Sequence, residues 1–191
     1  NDTSASAATL KSVAAMSLAA DFSTIDSITA SSAADIKAVY ADTSTTFATD
    51  VLIAVNDSTL TAADLKAINA LSSDKVTSTA TTLSGTVADL GTVLAVASTK
   101  IGRAADIAVT VTDTVADAAD LVALDDDGDI TNGRTTGRYT TGRFTLSSGT
   151  SLIGSRAEVL FILGAKYALA DGTTPARFTN IKDVNVTLDS G

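Results

Sequence analysis

Residues 124–133 read Leu-Asp-Asp-Asp-Gly-Asp-Ile-Thr-Asn-Gly, and their spacing invites a hard cation. Asp125, Asp127 and Asp129 stand at i, i+2 and i+4 around Gly128. Alternate carboxylates converge in that arrangement while the glycine permits a sharp turn, as at the start of an EF-hand-type calcium loop. Thr136 stands where such a loop would place its bidentate acid, so the match is partial. The expectation is a Ca2+ site at Asp125, Asp127 and Asp129, weighed against a solvated acidic turn. Asp113 and Asp117 join it if folding brings them near.

The next segment carries the opposite charge. Gly-Arg-Thr-Thr-Gly-Arg-Tyr-Thr-Thr-Gly-Arg-Phe places Arg134, Arg138 and Arg143 beside Tyr139 and Phe144. Interleaved bases and aromatics can bind nucleic acid, but a net charge of -9 repels phosphate over most of the surface. No nucleic-acid partner is expected. The expectation for these five residues is self-assembly, the Arg-bearing part of one copy meeting the Asp-rich body of the next in a heterologous contact that can propagate, weighed against Arg residues that merely solvate a loop. Such association should weaken in moderate salt.

Other chemistry is poorly provided for. With no Cys and no His, thiol catalysis, the usual zinc sites and the Ser-His triad are excluded. There is no G-x-S-x-G, no P-loop and no G-x-G-x-x-G after a strand. Glu158 is a lone Glu with Arg156 beside it and reads as a helix-start charge. Asp is too abundant for a glycosidase-type pair to be recognised from spacing. Asn1, Asn56 and Asn185 begin Asn-X-Ser/Thr triplets, which a chain so rich in Ser and Thr produces by chance. Catalytic residues are expected to be none.

The elements that position these groups look repetitive. Thr-Val-Ala-Asp occurs at 86–89 and again at 114–117, and Val55, Leu83 and Val111 fall 28 residues apart. The stretches 28–39, 54–68, 81–93 and 109–124 each run from a short β-prone piece through Ser, Thr, Asp or Gly into an Ala-rich piece with Asp before Ile or Leu. Val-Thr-Val-Thr alternates as a half-buried strand does. A Ser or Thr then caps a helix whose first turn carries Asp. Hydrophobic residues are 45% of the chain but aromatics only 4%, which suits thin layers approaching closely rather than a thick core. The expected fold is an α/β repeat, a solenoid-like stack of short strand-plus-helix units of about 28 residues paired as about 56, with a β-rich C-terminal cap; a Greek-key or helical array is the rival. Asp35, Asp64, Asp89 and Asp120 then recur as a column, either a charge ladder or plain helix-start charge.

Charge and composition mark boundaries. Residues 1–130 carry 18 Asp against 6 Lys or Arg, whereas residues 131–191 carry 4 acids and 7 bases. The division expected is 1–25, a capping helix with Leu10, Val13, Met16 and Leu18 on one side, or the end of a preceding repeat; 26–130, the repeat region; and 131–191, a cap or interaction module. Within the last, 156–172 reads as a helix interrupted at Gly164 or as a strand and short helix, and 183–188 as a strand. No apolar run approaches the ~20 residues of a membrane span, and no signal peptide is visible, so the chain reads as a processed product or an excerpt of something longer.

The stretch 58–90 and Ala-Val-Thr-Val-Thr-Asp-Thr-Val-Ala-Asp-Ala-Ala-Asp-Leu-Val-Ala-Leu after it resemble the Ala/Thr/Asp-rich repeats of large secreted bacterial surface proteins of cyanobacterial type. The resemblance covers about 25–130 and implies an extracellular or cell-surface location and no catalytic residues. The function expected is a structural repeat protein that self-assembles, with calcium, into a surface layer, sheath or filament, its partners copies of itself. An adhesin module binding a cell-surface glycan or host surface, and a virion decoration or fibre protein, are the alternatives.

Overall fold

The computed structural model describes residues 2–17, 19–96, 99–104, 107–125, 144–162, 178–179 and 185–188. The architecture is mixed α/β: sheets of parallel strands alternate with short helices, and among the described residues no sheet closes into a barrel. The chain divides into two compact units, Asn1–Thr81 with Val96–Ala104, and Thr82–Ala95 with Ala105–Gly191.

The first unit contains β1 (Ser4–Ser6), α1 (Ala7–Ala14), β2 (Ala20–Phe22), β3 (Ser27–Ser31), α2 (Ala33–Ala41), β4 (Thr45–Phe47), β5 (Leu52–Val55), β6 (Thr59–Thr61), α3 (Ala62–Leu71) and β7 (Val76–Ser78). The second opens with β8 (Thr82–Gly85) and α4 (Val87–Ala95), after which β9 (Ile101–Gly102) returns to the first. The second unit continues with β10 (Ala108–Val111), β11 (Val115–Asp117), α5 (Ala118–Asp125), β12 (Phe144–Leu146), β13 (Ser151–Gly154), α6 (Arg156–Ile162), β14 (Phe178–Thr179) and β15 (Asn185–Leu188).

In the first unit, β1, β3, β5, β7 and β9 lie side by side, all parallel. Ile28 pairs with Ile53, Ile53 with Val76, and Val76 with Ile101, so like stands on like, and all four are buried. Burying one aliphatic rung against the next is the main stabilising term open to a chain so poor in large rings. Helices α1, α2 and α3 pack in sequence, and Leu10, Ile36 and Leu65 fill the same place in each. Each helix starts at a hydroxyl: Ser6, Ser32 and Thr61 accept the N–H of Thr9, Asp35 and Asp64. Phe22 of β2 pairs with Phe47 of β4, and Tyr40 stacks on Phe47 at 4.2 Å.

In the second unit, β8, β10, β12 and β14 are parallel neighbours, as are β11, β13 and β15. Leu83 pairs with Val109, and Val109 with Phe144. Leu152 stands between Ala116 and Val186. Helix α5 packs against both α4 and α6.

Three expectations change. The 28-residue spacing is not the pairing spacing. Val55 pairs with Ser31 and Ser78, Leu83 with Val109, and Val111 with Gly85 and Leu146. Register is set by which residues of neighbouring parallel strands hydrogen-bond, and the segments connecting those strands differ in length. Second, the two Thr-Val-Ala-Asp copies are not equivalent: Thr86 caps α4 and Val87–Asp89 are its first turn, whereas Val115–Asp117 are strand β11. Third, the N-terminal helix stops at Ala14, and Ala20–Phe22 is a strand. Val13 and Met16 are 40% and 80% exposed, so of the apolar side expected there only Leu10 is shown in the core. Segment 156–172 begins as helix α6, and 183–188 contains β15, exposed along its length.

Candidate functional site

Most of the expected site residues lie outside the described residues. Asp127, Asp129, Arg134, Arg138, Tyr139 and Arg143 do so entirely. Asp125 ends α5, and Phe144 begins β12, where it pairs with Val109 and Phe178. Among the described residues no group of three or more acids is gathered to hold a metal. Asp113 and Asp117 have other work. The Asp113 carboxylate accepts the backbone N–H of Val87 at 2.7 Å, and that of Asp117 accepts the N–H of Ala119 at 2.8 Å.

The Asp113 contact exemplifies an arrangement found in both units. The first N–H of a helix has no partner within the helix. Here a side chain from the following segment supplies one. Ser31 takes the N–H of Ala7 at 2.8 Å, Asp57 that of Ala33 at 2.6 Å, and Asp113 that of Val87. The helix is thereby capped twice, by its own Ser or Thr and by its neighbour.

A second arrangement joins the exposed faces of the first unit's helices. Lys11 of α1 pairs with Asp35 of α2 at 3.1 Å, and Lys37 of α2 with Asp64 of α3. The column of acids is thus a ladder of alternating sign, at least through Asp64. The Lys11 ammonium, with help from the Ser32 hydroxyl, holds Asp35 below the ordinary carboxylate range. Lys37 does the same for Asp64, against a smaller opposing effect of burial. Sequence reasoning missed both arrangements. The signal was present as Ala-Ala-Asp-Ile-Lys at 33–37 and Ala-Ala-Asp-Leu-Lys at 62–66, each Asp facing the Lys of the preceding helix.

The third feature is a face. On the outside of the first unit's sheet, Ser27, Thr29, Leu52, Ala54, Lys75 and Thr77, with the backbone of Ile28 and Ile53 beneath, line a shallow concavity of about 230 Å³. Leu52 is 45% exposed there, between buried Val51 and Ile53. Lys75 lies along the sheet, and a Cβ added to Gly102 would come within 3.1 Å of its Cε. This lining offers hydroxyls, one ammonium and aliphatic surface.

Elsewhere, burial pushes the Tyr40 hydroxyl up to about 12, and its oxygen has no hydrogen-bond partner among the described residues. Asp21 and Asp42 are held low by the hydroxyl and N–H of Ser23 and Ser44, as turn residues are. Comparison with protein-family models, curated proteins and solved structures finds no match to this chain.

Proposed function

We propose that this chain is a structural, extracellular repeat protein whose strand-plus-helix units form a solenoid-like stack, and that it self-assembles into a cell-surface layer, sheath or filament. The observation that carries the reading is the run of parallel rungs Ile28–Ile53–Val76–Ile101, in which each segment shelters the apolar side of the next. A chain organised in that way has neighbour contacts as its unit of stability. The helix-to-helix ladder of Lys11–Asp35 and Lys37–Asp64 supports it, because it repeats the same contact between successive segments. The abundance of Asp over Glu fits a structural role outside the cell.

Calcium belongs to the proposal through Asp125, Asp127 and Asp129, whose hard oxygens suit that ion. Electron microscopy and sedimentation of the purified chain, with calcium and with a chelator, test both parts. Ordered assemblies that disperse on chelation are expected. A monomer at hundreds of micromolar with calcium present overturns the assembly reading, and assemblies indifferent to chelator remove calcium from it.

A further inference from the structure

Helix α1 opens the first unit, and one of its side chains is out of step with the other helices. The acid at the third residue of α2 and of α3 meets a lysine of the helix before, Asp35 with Lys11 and Asp64 with Lys37. Residues three or four apart share a side of a helix, so the seventh residue looks the same way. In each helix that packs on a preceding helix of its own unit, that residue is aliphatic and buried: Val39 in α2 is 1% exposed, Ile68 in α3 0%, Leu124 in α5 6% and Ile162 in α6 1%. The preceding helix is the cover. A Cβ added at Gly91 of α4 would come within 3.6 Å of the Leu124 Cδ2. In α1 the seventh residue is Val13, and it is 40% exposed. Met16, three residues on, is 80% exposed, and Thr9, four before, is exposed too. Beside them, the edge of β1 away from β3 has no strand among the described residues.

The chemistry of this end narrows its occupant. A helix bearing a lysine like Lys11 or Lys37 calls for an acid at the third residue, and α1 has Thr9 there. Lys11, the one charge of α1, faces the other way, on Asp35. The uncovered side is neutral, in a chain whose net charge of -9 sets two copies repelling over most of their surface. We propose that this end docks on the same end of a second copy, about a two-fold axis. Strand β1 pairs antiparallel with β1 of the second copy, and α1 lies antiparallel beside the second α1. Val13 then meets Val13, with Thr9 against Met16 on either side. Asp2, just before β1, is carried to opposite ends of the strand pair. The contact is isologous and closes on itself, so it joins copies in pairs and leaves further growth to another contact. An eight-residue helix and a three-residue strand make a small interface, and the pair is expected to be weak. The proposal rests on the self-assembly reading above and names one of its contacts.

Charges placed at the axis test it. Val13→Asp sets two carboxylates face to face, and Val13→Lys two ammonium groups. The position is partly exposed, and circular dichroism checks that both variants keep the fold. Where the wild type sediments as a dimer, each variant alone is expected to be a monomer. An equal mixture of the two is expected to dimerise at least tenfold more tightly than either alone. The chain has no cysteine, so Val13→Cys with a short bis-maleimide linker should give a covalent dimer, and Ala67→Cys, exposed on α3, far less. Wild-type dimers should persist in high salt and in chelator, since no ion pair or metal holds them; their loss in salt overturns the contact. If the wild type assembles and both charged variants assemble equally well, the docking is wrong while the self-assembly reading stands. If the variants fail to associate and their mixture fails as well, Val13 meets a different surface and the two-fold contact is overturned. A wild type that stays monomeric at hundreds of micromolar overturns both.

Discussion

Asp57 reaches from the turn after β5 to the first backbone N–H of α2, its carboxylate accepting from Ala33 at 2.6 Å. Ser32 already caps the same helix, so the charge of Asp57 adds a second acceptor where the helix dipole is positive. Asp57→Ala removes it and should lower stability by about 1 kcal/mol, with Asp57→Asn recovering much of the loss. Urea midpoints of the two variants and wild type decide the order. An Ala variant as stable as wild type shows the contact to be worth nothing in water.

The two Thr-Val-Ala-Asp copies offer a direct comparison. The Thr86 hydroxyl accepts the N–H of Asp89 at 3.2 Å and caps α4. Thr114 precedes a strand, and its backbone oxygen, not its side chain, accepts from Ser151. Thr86→Ala should cost about 1 kcal/mol, and Thr114→Ala only a few tenths. Equal losses in thermal unfolding would mean that the two copies have the same structure after all.

The pair Lys37–Asp64 should make part of the stability depend on pH. The Asp64 carboxyl is depressed in the fold, first by Lys37. Its contribution is therefore present above the unfolded carboxylate value of about 3.9 and fades as pH falls through the lower folded value. The pair is partly exposed, so Lys37→Met should cost no more than ~0.2–1 kcal/mol at neutral pH. Unfolding curves of wild type and variant should differ near neutrality and converge well below pH ~3.9. A gap that widens in acid would contradict the assignment.

Gly154 and Gly149 both have positive φ, for different reasons. At Gly154, φ is +149° and an added Cβ would lie 3.0 Å from the Ala118 Cβ, at the start of α5. At Gly149, φ is +84° and the space around is open. Gly149→Ala should cost about 1–2 kcal/mol from backbone strain alone. Gly154→Ala meets both strain and contact and should cost more, roughly 2–4 kcal/mol. Melting temperatures in the reverse order would show that the β13–α5 approach relaxes freely.

Helix starts show how far the pattern could be read from the chain. Among the described residues, helices begin at 7, 33, 62, 87, 118 and 156, and their second residue is Ala in every case. Their fourth residue is Leu10, Ile36, Leu65, Leu90, Leu121 or Val159, all buried. Alignment on Ala-Ala-Asp-Leu-type starts finds this. Alignment on Thr-Val-Ala-Asp does not, because it superposes a helix start on a strand. The intervals between starts run from 25 to 38 residues, so no fixed period exists to be found. The ladder partners Lys11 and Asp35 were visible as residues but not as a pair, since only packing of α1 on α2 brings them together.

The amino-acid sequence by itself determined the kinds of element and their chemistry. Hydroxyl caps, Asp in the first turn, aliphatic positions three and four apart and alternating Val and Thr are local signals, acting over a few residues. It also set the inventory, with no thiol or imidazole and a basic segment after an acidic one. The tertiary structure alone decided which strand lies beside which, that Asp57 serves Ala33 and Asp113 serves Val87, and that Leu52 remains exposed while Val51 and Ile53 are buried. Those outcomes depend on the length of each connecting segment and on the register that best superposes aliphatic rungs. Both are sums over residues more than twenty positions apart, to which no short stretch of sequence is sensitive.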